Sequence, residues 1–167
     1  LTMDLNDIQT DRSGITATFS GTNLIVGMRF EEGGKELKGS VSKRVAGIAD
    51  VTIPVGGELS NTSMTITFAL SASNGQLEVQ FSSFDFTSRV TLDVWDRHVP
   101  DQLMDRLKIQ SQFNDAVKAS GAAAIRQSGI AQGLKTALRQ IPSIAQLRTV
   151  TAVRAASNGG TDIEGWK

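Results

Sequence analysis

The chain has 167 residues, 40% of them hydrophobic, which is the size of one domain with enough apolar material for a substantial core. It contains no cysteine, which excludes disulfides, thiolate metal sites and a thiol nucleophile and leaves the redox character of its compartment open. Seventeen basic and 17 acidic side chains cancel to a formal net charge of zero, and no apolar run approaches the roughly 20 residues of a membrane-spanning helix.

The sequence opens at Leu1 inside a strand-like alternation, with neither an initiator methionine nor a charged-then-apolar leader. That start reads as a processed or truncated product from which an export signal could have been removed, favouring an exported or periplasmic protein. Leu1, Met3 and Leu5 alternate with polar residues, Asp11-Arg12-Ser13-Gly14 breaks the run, and Ile15, Ala17 and Phe19 resume it, which predicts a first hairpin. Leu24, Val26, Met28 and Phe30 form a third strand, and the polar, glycine-rich stretch Glu31 to Glu36 predicts an exposed loop. Leu37 to Ile48 reads as irregular or weak strand. Val51, Ile53 and Val55 alternate again, Pro54 suits an edge or strand end, and Gly56-Gly57 is read as a turn.

The longest alternation follows, from Asn61 to Trp95. Met64, Ile66, Phe68 and Leu70 share one face of a strand, and Asn74-Gly75 supplies the residue pair that a type I′ hairpin turn requires at its two positive-φ positions. On the return strand Leu77, Val79 and Phe81 carry the apolar face on odd numbers, whereas Phe84, Phe86, Val90, Leu92 and Val94 carry it on even ones. A β-bulge at Ser82-Ser83 would keep all of them on one side of the sheet.

Pro100 then stops the strand, and Asp101 is the expected N-cap of a helix over residues 101–119. Leu103, Leu107, Ile109, Phe113, Ala116 and Val117 cover about half of its wheel, which predicts a deeply packed helix. Ser120-Gly121 is the expected break before a second helix over 122–141, along which Gly121, Gly129, Gly133 and Ala137 form a ridge of small residues suited to close packing. Residues 144–156 are open between helix and strand, and 158–167 read as a flexible tail. The whole is an α+β chain, a single domain over 1–157 with a long bulged antiparallel sheet over 1–97, curled around or packed against a mainly helical segment over 98–157.

Charge is unevenly placed along this order. Residues 1–100 carry 12 acids and eight bases, but from Arg106 to Arg154 eight bases accompany the single acid Asp115. The asymmetry suits an anionic membrane surface or an acidic protein face, met by Arg126, Lys135 and Arg139; a solvated helix surface is the alternative.

Motifs for chemistry are scarce. His98, the single histidine, stands near Asp93 and Asp96, residue types that serve in metal or acid–base sites but also populate ordinary loops. No nucleophile-elbow pattern occurs, and the glycine pairs at 33–34, 56–57 and 159–160 lack both the phosphate-loop lysine and the dinucleotide spacing. Phe81, Phe84 and Phe86 are interleaved with Glu78 and Asp85 rather than with basic residues, which argues against nucleic acid. The expectation is a non-enzymatic protein without metal or cofactor.

The succession from Ser63 to Ala119 of strand, Asn74-Gly75 turn, bulged return strand and wide-faced helix resembles the tubular lipid-binding (TULIP) superfamily. The resemblance implies an apolar tunnel lined by Met64, Ile66, Phe68, Val79, Phe81, Phe84 and Phe86 and faced by Leu107 and Phe113; the alternative is that the same residues form a filled core. Two departures stand out: no helix precedes the first strand, and the cysteine pair of the animal members is absent. The implied function is a carrier or envelope-associated binder of an apolar or lipid-like ligand. The alternative is a structural or assembly subunit of a virion, secretion system or cell envelope, with contacts to other copies or chains.

Overall fold

Alternation of apolar and polar side chains produces strands over most of the first half of the chain, and a 3.6-residue periodicity takes over after Pro100. The computed structural model describes residues 2–5, 10–30, 36–43, 51–94 and 97–167. The strands are β1 (Thr2–Leu5), β2 (Thr10–Ser20), β3 (Asn23–Phe30), β4 (Glu36–Lys43), β5 (Val51–Ser73), β6 (Gln76–Val94) and β7 (Arg97–His98). Four helices follow, α1 (Asp101–Arg106), α2 (Ile109–Gln127), α3 (Ile130–Leu138) and α4 (Pro142–Ala145), and then β8 (Thr149–Ala155) and β9 (Thr161–Trp166). Among the described residues the first seven strands make one sheet in the order β1-β4-β5-β3-β2, with β6 on β5 and β7 on β6, while β8 and β9 pair with each other. The α+β class expected from the sequence is the class observed.

Several pairings differ from the sequence expectation. β1 pairs antiparallel with β4, Thr2 opposite Ser40 and Leu5 opposite Leu37, rather than with the strand carrying Ile15 and Phe19. That strand, β2, runs unbroken through Asp11–Gly14 and neighbours β3, the chain turning at Gly21, where φ is +60°. Residues 36–43, read as irregular, are a strand because β4 lies along β5 from Glu36–Glu58 to Lys43–Val51. Pro54 and Gly56-Gly57 lie within β5, with Pro54 opposite Ser40 and Gly57 opposite Leu37. Gly57 is not a turn residue: a Cβ there would collide with the Thr91 carbonyl, so the glycine permits a close backbone approach. The expected 31–36 loop and the ends of the 37–48 and 61–95 readings, at 44–48 and Trp95, lie at least partly outside the described residues.

The central hairpin is as the sequence predicts. Asn74 (φ 51°) and Gly75 (φ 74°) both occupy the left-handed region, as the tight turn demands. Burial on β6 falls on Leu77 and Val79 and then, past the exposed pair Ser82 and Ser83, on Phe86, Val90 and Leu92. The one-residue change of phase sits where the sequence places it.

Helix boundaries shift. Pro100, not Asp101, occupies the cap position of α1, and its carbonyl accepts hydrogen bonds from the Leu103 and Met104 amides at 2.9 and 3.1 Å; no side chain caps this end. The first break falls at Leu107–Lys108, where Lys108 takes a positive φ of 52°, and the second at Ser128–Gly129. Gly121 is inside α2, because its missing side chain admits the Phe84 ring against the helix backbone. No helix among the described residues is long and apolar enough to cross a membrane.

Contacts divide the chain into two compact units. The first (1–14, 28–63, 86–117) is built on Val55, Leu59, Val90, Leu92 and Met104, with Val99, Ile109 and Phe113 packed against them. The second (15–27, 64–85, 118–167) buries Leu24, Ile66, Phe68, Leu70, Leu77, Val79, Leu138 and Val150. Residues 158–167, read as a flexible tail, instead supply a turn and β9. The Val150 amide donates to the Gly75 carbonyl at 2.8 Å, and Thr161 Oγ1 donates to the Gly21 carbonyl at 2.5 Å, so this second ribbon is fastened to two earlier turns.

Candidate ligand-binding site

The nine residues of the expected apolar site divide between the units. In the second unit Ile66, Phe68 and Val79 are buried, while Met64, Phe81 and Phe84 remain half-buried. Phe68 and Phe81, on β5 and β6, meet edge to face with centroids 6.4 Å apart and planes at 79°, the orientation favoured by the ring quadrupoles. The Arg126 guanidinium, from the last turn of α2, lies 5.0 Å from the Phe81 centroid, a cation–π contact. Phe84 lies against Gly121 one and a half helical turns earlier. The two aromatic rings of β6 are thus covered from the helix side by a glycine and an arginine, and neither is sealed.

The same unit shows what becomes of the three cations expected to meet an anionic surface. Lys135 Nζ donates to both carboxylate oxygens of Glu78, at 2.8 and 2.9 Å, with only 13% of its side chain exposed. It is neutralised within the fold. Arg126 is committed to Phe81, and exposed Arg139 donates from Nη2 to the neutral side-chain oxygen Oε1 of Gln76 at 2.8 Å. Arg139 also borders an open cleft of about 290 Å3, together with Arg148, Gly75, Leu77, Ile144 and Leu147.

In the first unit Phe86 is buried and tilts against Phe113 at 6.2 Å and 59°. Leu107, expected on the buried face beside Phe113, is 53% exposed. The physical reason is the helix break: with Lys108 in a left-handed conformation, the register of α1 does not carry through to α2, and Leu107 leaves the apolar stripe. α2 has no fully buried residue, and Met104 is the one buried residue of α1.

Sequence reasoning missed a polar cluster in this unit. Thr62 and Ser88 are buried and share a hydrogen bond of 2.9 Å between their hydroxyls. Gln110 Oε1 accepts from the Val90 amide at 2.8 Å, and its Nε2 donates to the Ser88 carbonyl, which also accepts from Asn114 Nδ2 at 3.3 Å. Ser88, Val90, Gln110 and Asn114 border a cleft of about 500 Å3 with Met104, Asp105 and Arg89. The available signal was the spacing of Gln110 and Asn114 four apart on one helix face, which by itself is as common on solvated helices. His98 Nδ1 lies 3.5 Å from Asp93, both side chains being exposed; Asp96 is outside the described residues.

No family model matches the chain, and no curated protein matches it. Among solved structures it is similar to the crystal structure of lipopolysaccharide binding protein, with 11% identity and a TM-score of 0.57. The likeness covers 99% of this chain and 39% of that one. It is a likeness of fold. The resemblance to tubular lipid-binding proteins, first carried by Ser63–Ala119, holds at the level of fold across nearly the whole chain.

Proposed function

We propose that this chain binds an apolar or lipid-like ligand without catalysing a reaction, as a carrier or an envelope-associated binding protein. One observation carries the reading: within the second unit Phe81 and Phe84 stay half-buried, and none of the α2 residues that belong to it, 118–127, is buried. Apolar surface therefore remains on both partners where a closed core would consume it. An acyl chain or other elongated apolar group would complete that burial, at about 0.8 kcal/mol per methylene. The similarity of fold to lipopolysaccharide binding protein supports the same reading.

Lipid extraction and mass spectrometry of the purified protein test this directly, followed by competition with a fluorescent fatty-acid probe. Co-purifying lipid, and a changed chain-length preference in Phe84→Leu, are expected. A protein that carries no lipid and takes up no probe would remove the proposal.

A second reading, a structural or assembly subunit, is favoured by Trp166, 72% exposed, and by Leu103 and Leu107 at 45% and 53%. A discrete oligomer on gel filtration, lost in Trp166→Ser, would select it over the carrier.

A further inference from the structure

The cationic side chains of the second unit are not equally engaged. Lys118 lies 2.8 Å from Asp85, Lys135 is bidentate on Glu78, Arg154 is 3.9 Å from Glu164, and Arg126 faces a ring. Among the described residues, Arg139 and Arg148 have no acidic partner, and these two border the same cleft of about 290 Å3. Among the described residues no carboxylate lines it.

Both arginines are placed by the backbone beneath them. Arg139 is the C-cap residue of α3, where the carbonyl end of the helix favours a cation, and Gln76 fixes its guanidinium through one Nη2 donor without cancelling its charge. Arg148 stands between α4 and β8, its amide donating to the Trp166 carbonyl at 2.8 Å, two residues before Val150 is tied to Gly75. Leu77 and Val150, almost fully buried, and Ile144 and Leu147 give the cleft apolar walls. Two planar five-donor forks beside an apolar wall match the oxygens of a phosphate ester better than they match a diffuse anionic surface. The volume suits a small head group.

We propose that this cleft is a phosphate site, in which Arg139 and Arg148 hold the terminal phosphate of a phosphomonoester and the apolar wall receives the group attached to it. The site stands independently of the apolar-ligand reading, since it uses none of Phe68, Phe81 or Phe84. Two sources share this chemistry, a soluble phosphomonoester and a lipid with a phosphomonoester head.

Titration calorimetry with inorganic phosphate, glycerol phosphate and dihexanoyl phosphatidic acid tests the proposal on the whole chain, with Arg139→Gln, Arg148→Gln, the double variant and a Lys118→Gln control. The phosphate esters are expected to bind saturably at one site, about tenfold more weakly in either single arginine variant and unchanged in the control. Phosphatidic acid tighter than glycerol phosphate identifies the lipid as the source; equal affinities identify the soluble ester. Full affinity in the double variant overturns the site, as does the absence of binding by all three probes. Phosphatidic acid that binds wild type and double variant alike, while the soluble esters bind neither, overturns the site and leaves the apolar-ligand reading intact. Circular dichroism melts of each variant confirm that lost affinity is not lost fold.

Discussion

Gln110 does for Val90 what a neighbouring strand would do: its side-chain amide accepts the Val90 N–H at 2.8 Å and returns a donor to the Ser88 carbonyl. β6 otherwise pairs with β5 and, at Asp93 and Val94 only, with β7. One glutamine thereby satisfies two main-chain groups on a stretch of β6 that, among the described residues, pairs with no strand besides β5. Gln110→Ala is expected to lower stability by about 1–3 kcal/mol, since both groups then compete for water at a half-buried site. Urea unfolding reads this directly, and an unchanged midpoint would show that water replaces the amide at no loss.

The Thr62–Ser88 hydroxyl pair makes a second prediction. Ser88→Ala leaves the buried Thr62 hydroxyl without that partner and should destabilise by about 1–3 kcal/mol, whereas Thr62→Val with Ser88→Ala should lose less than the two single changes added together. Additive losses in a double-mutant cycle would mean that the two hydroxyls are not coupled.

Two glycines of the expected small-residue ridge should respond with opposite signs. Nothing lies within 4 Å of a Cβ built on Gly133, so Gly133→Ala should stabilise by up to about 1 kcal/mol through helix propensity alone. A Cβ on Gly121 meets the Phe84 ring, so Gly121→Ala should destabilise by about 1–3 kcal/mol. Thermal melts of the two variants shifting in the same direction would contradict this placement of the helices.

The Lys135–Glu78 pair supplies a fourth. With 13% and 31% of the two side chains exposed, Glu78→Gln strands a largely desolvated ammonium and should cost about 1–3 kcal/mol. The loss should persist at high salt, because a shielded pair is screened little. A loss that vanishes in 1 M salt, where the Debye length is about 3 Å, would place the pair in solvent.

What the sequence reveals here is what depends on near neighbours. Asn74-Gly75, the phase change at Ser82–Ser83 and the stop at Pro100 are each written in a few adjacent residues, and each is where the alternation predicts it. Partner choice is not written locally: nothing in Leu1, Met3 and Leu5 distinguishes β4 from β2 as a neighbour, since alternation fixes a face and not a companion. The break at Lys108 carries no glycine, proline or asparagine to announce it, and missing it put Leu107 on the wrong side of the helix. Conversely, Gly121 looked like a helix end and is a contact, because its role is set by Phe84, 37 positions earlier in the sequence. The cleft with Arg139 and Arg148 was half-legible: Arg139 stood out by charge, but its freedom from an acidic partner is visible only once Lys135 has taken Glu78.

The ribbon of β8 and β9 also bears on the order in which the molecule is made. The hairpin turns at Gly21 and Gly75 involve residues close in sequence and can close while synthesis is still under way, yet the groups that fasten them, on Val150, Gly159 and Thr161, emerge well after both. Thr161 reaches back across 140 residues to Gly21, a non-local contact whose loop-closure entropy must be met before it forms. A nascent chain stalled after Leu147 therefore holds both turns with their carbonyls unclaimed by Val150 and Thr161, and the two turns wait for the β8–β9 ribbon before they are fastened.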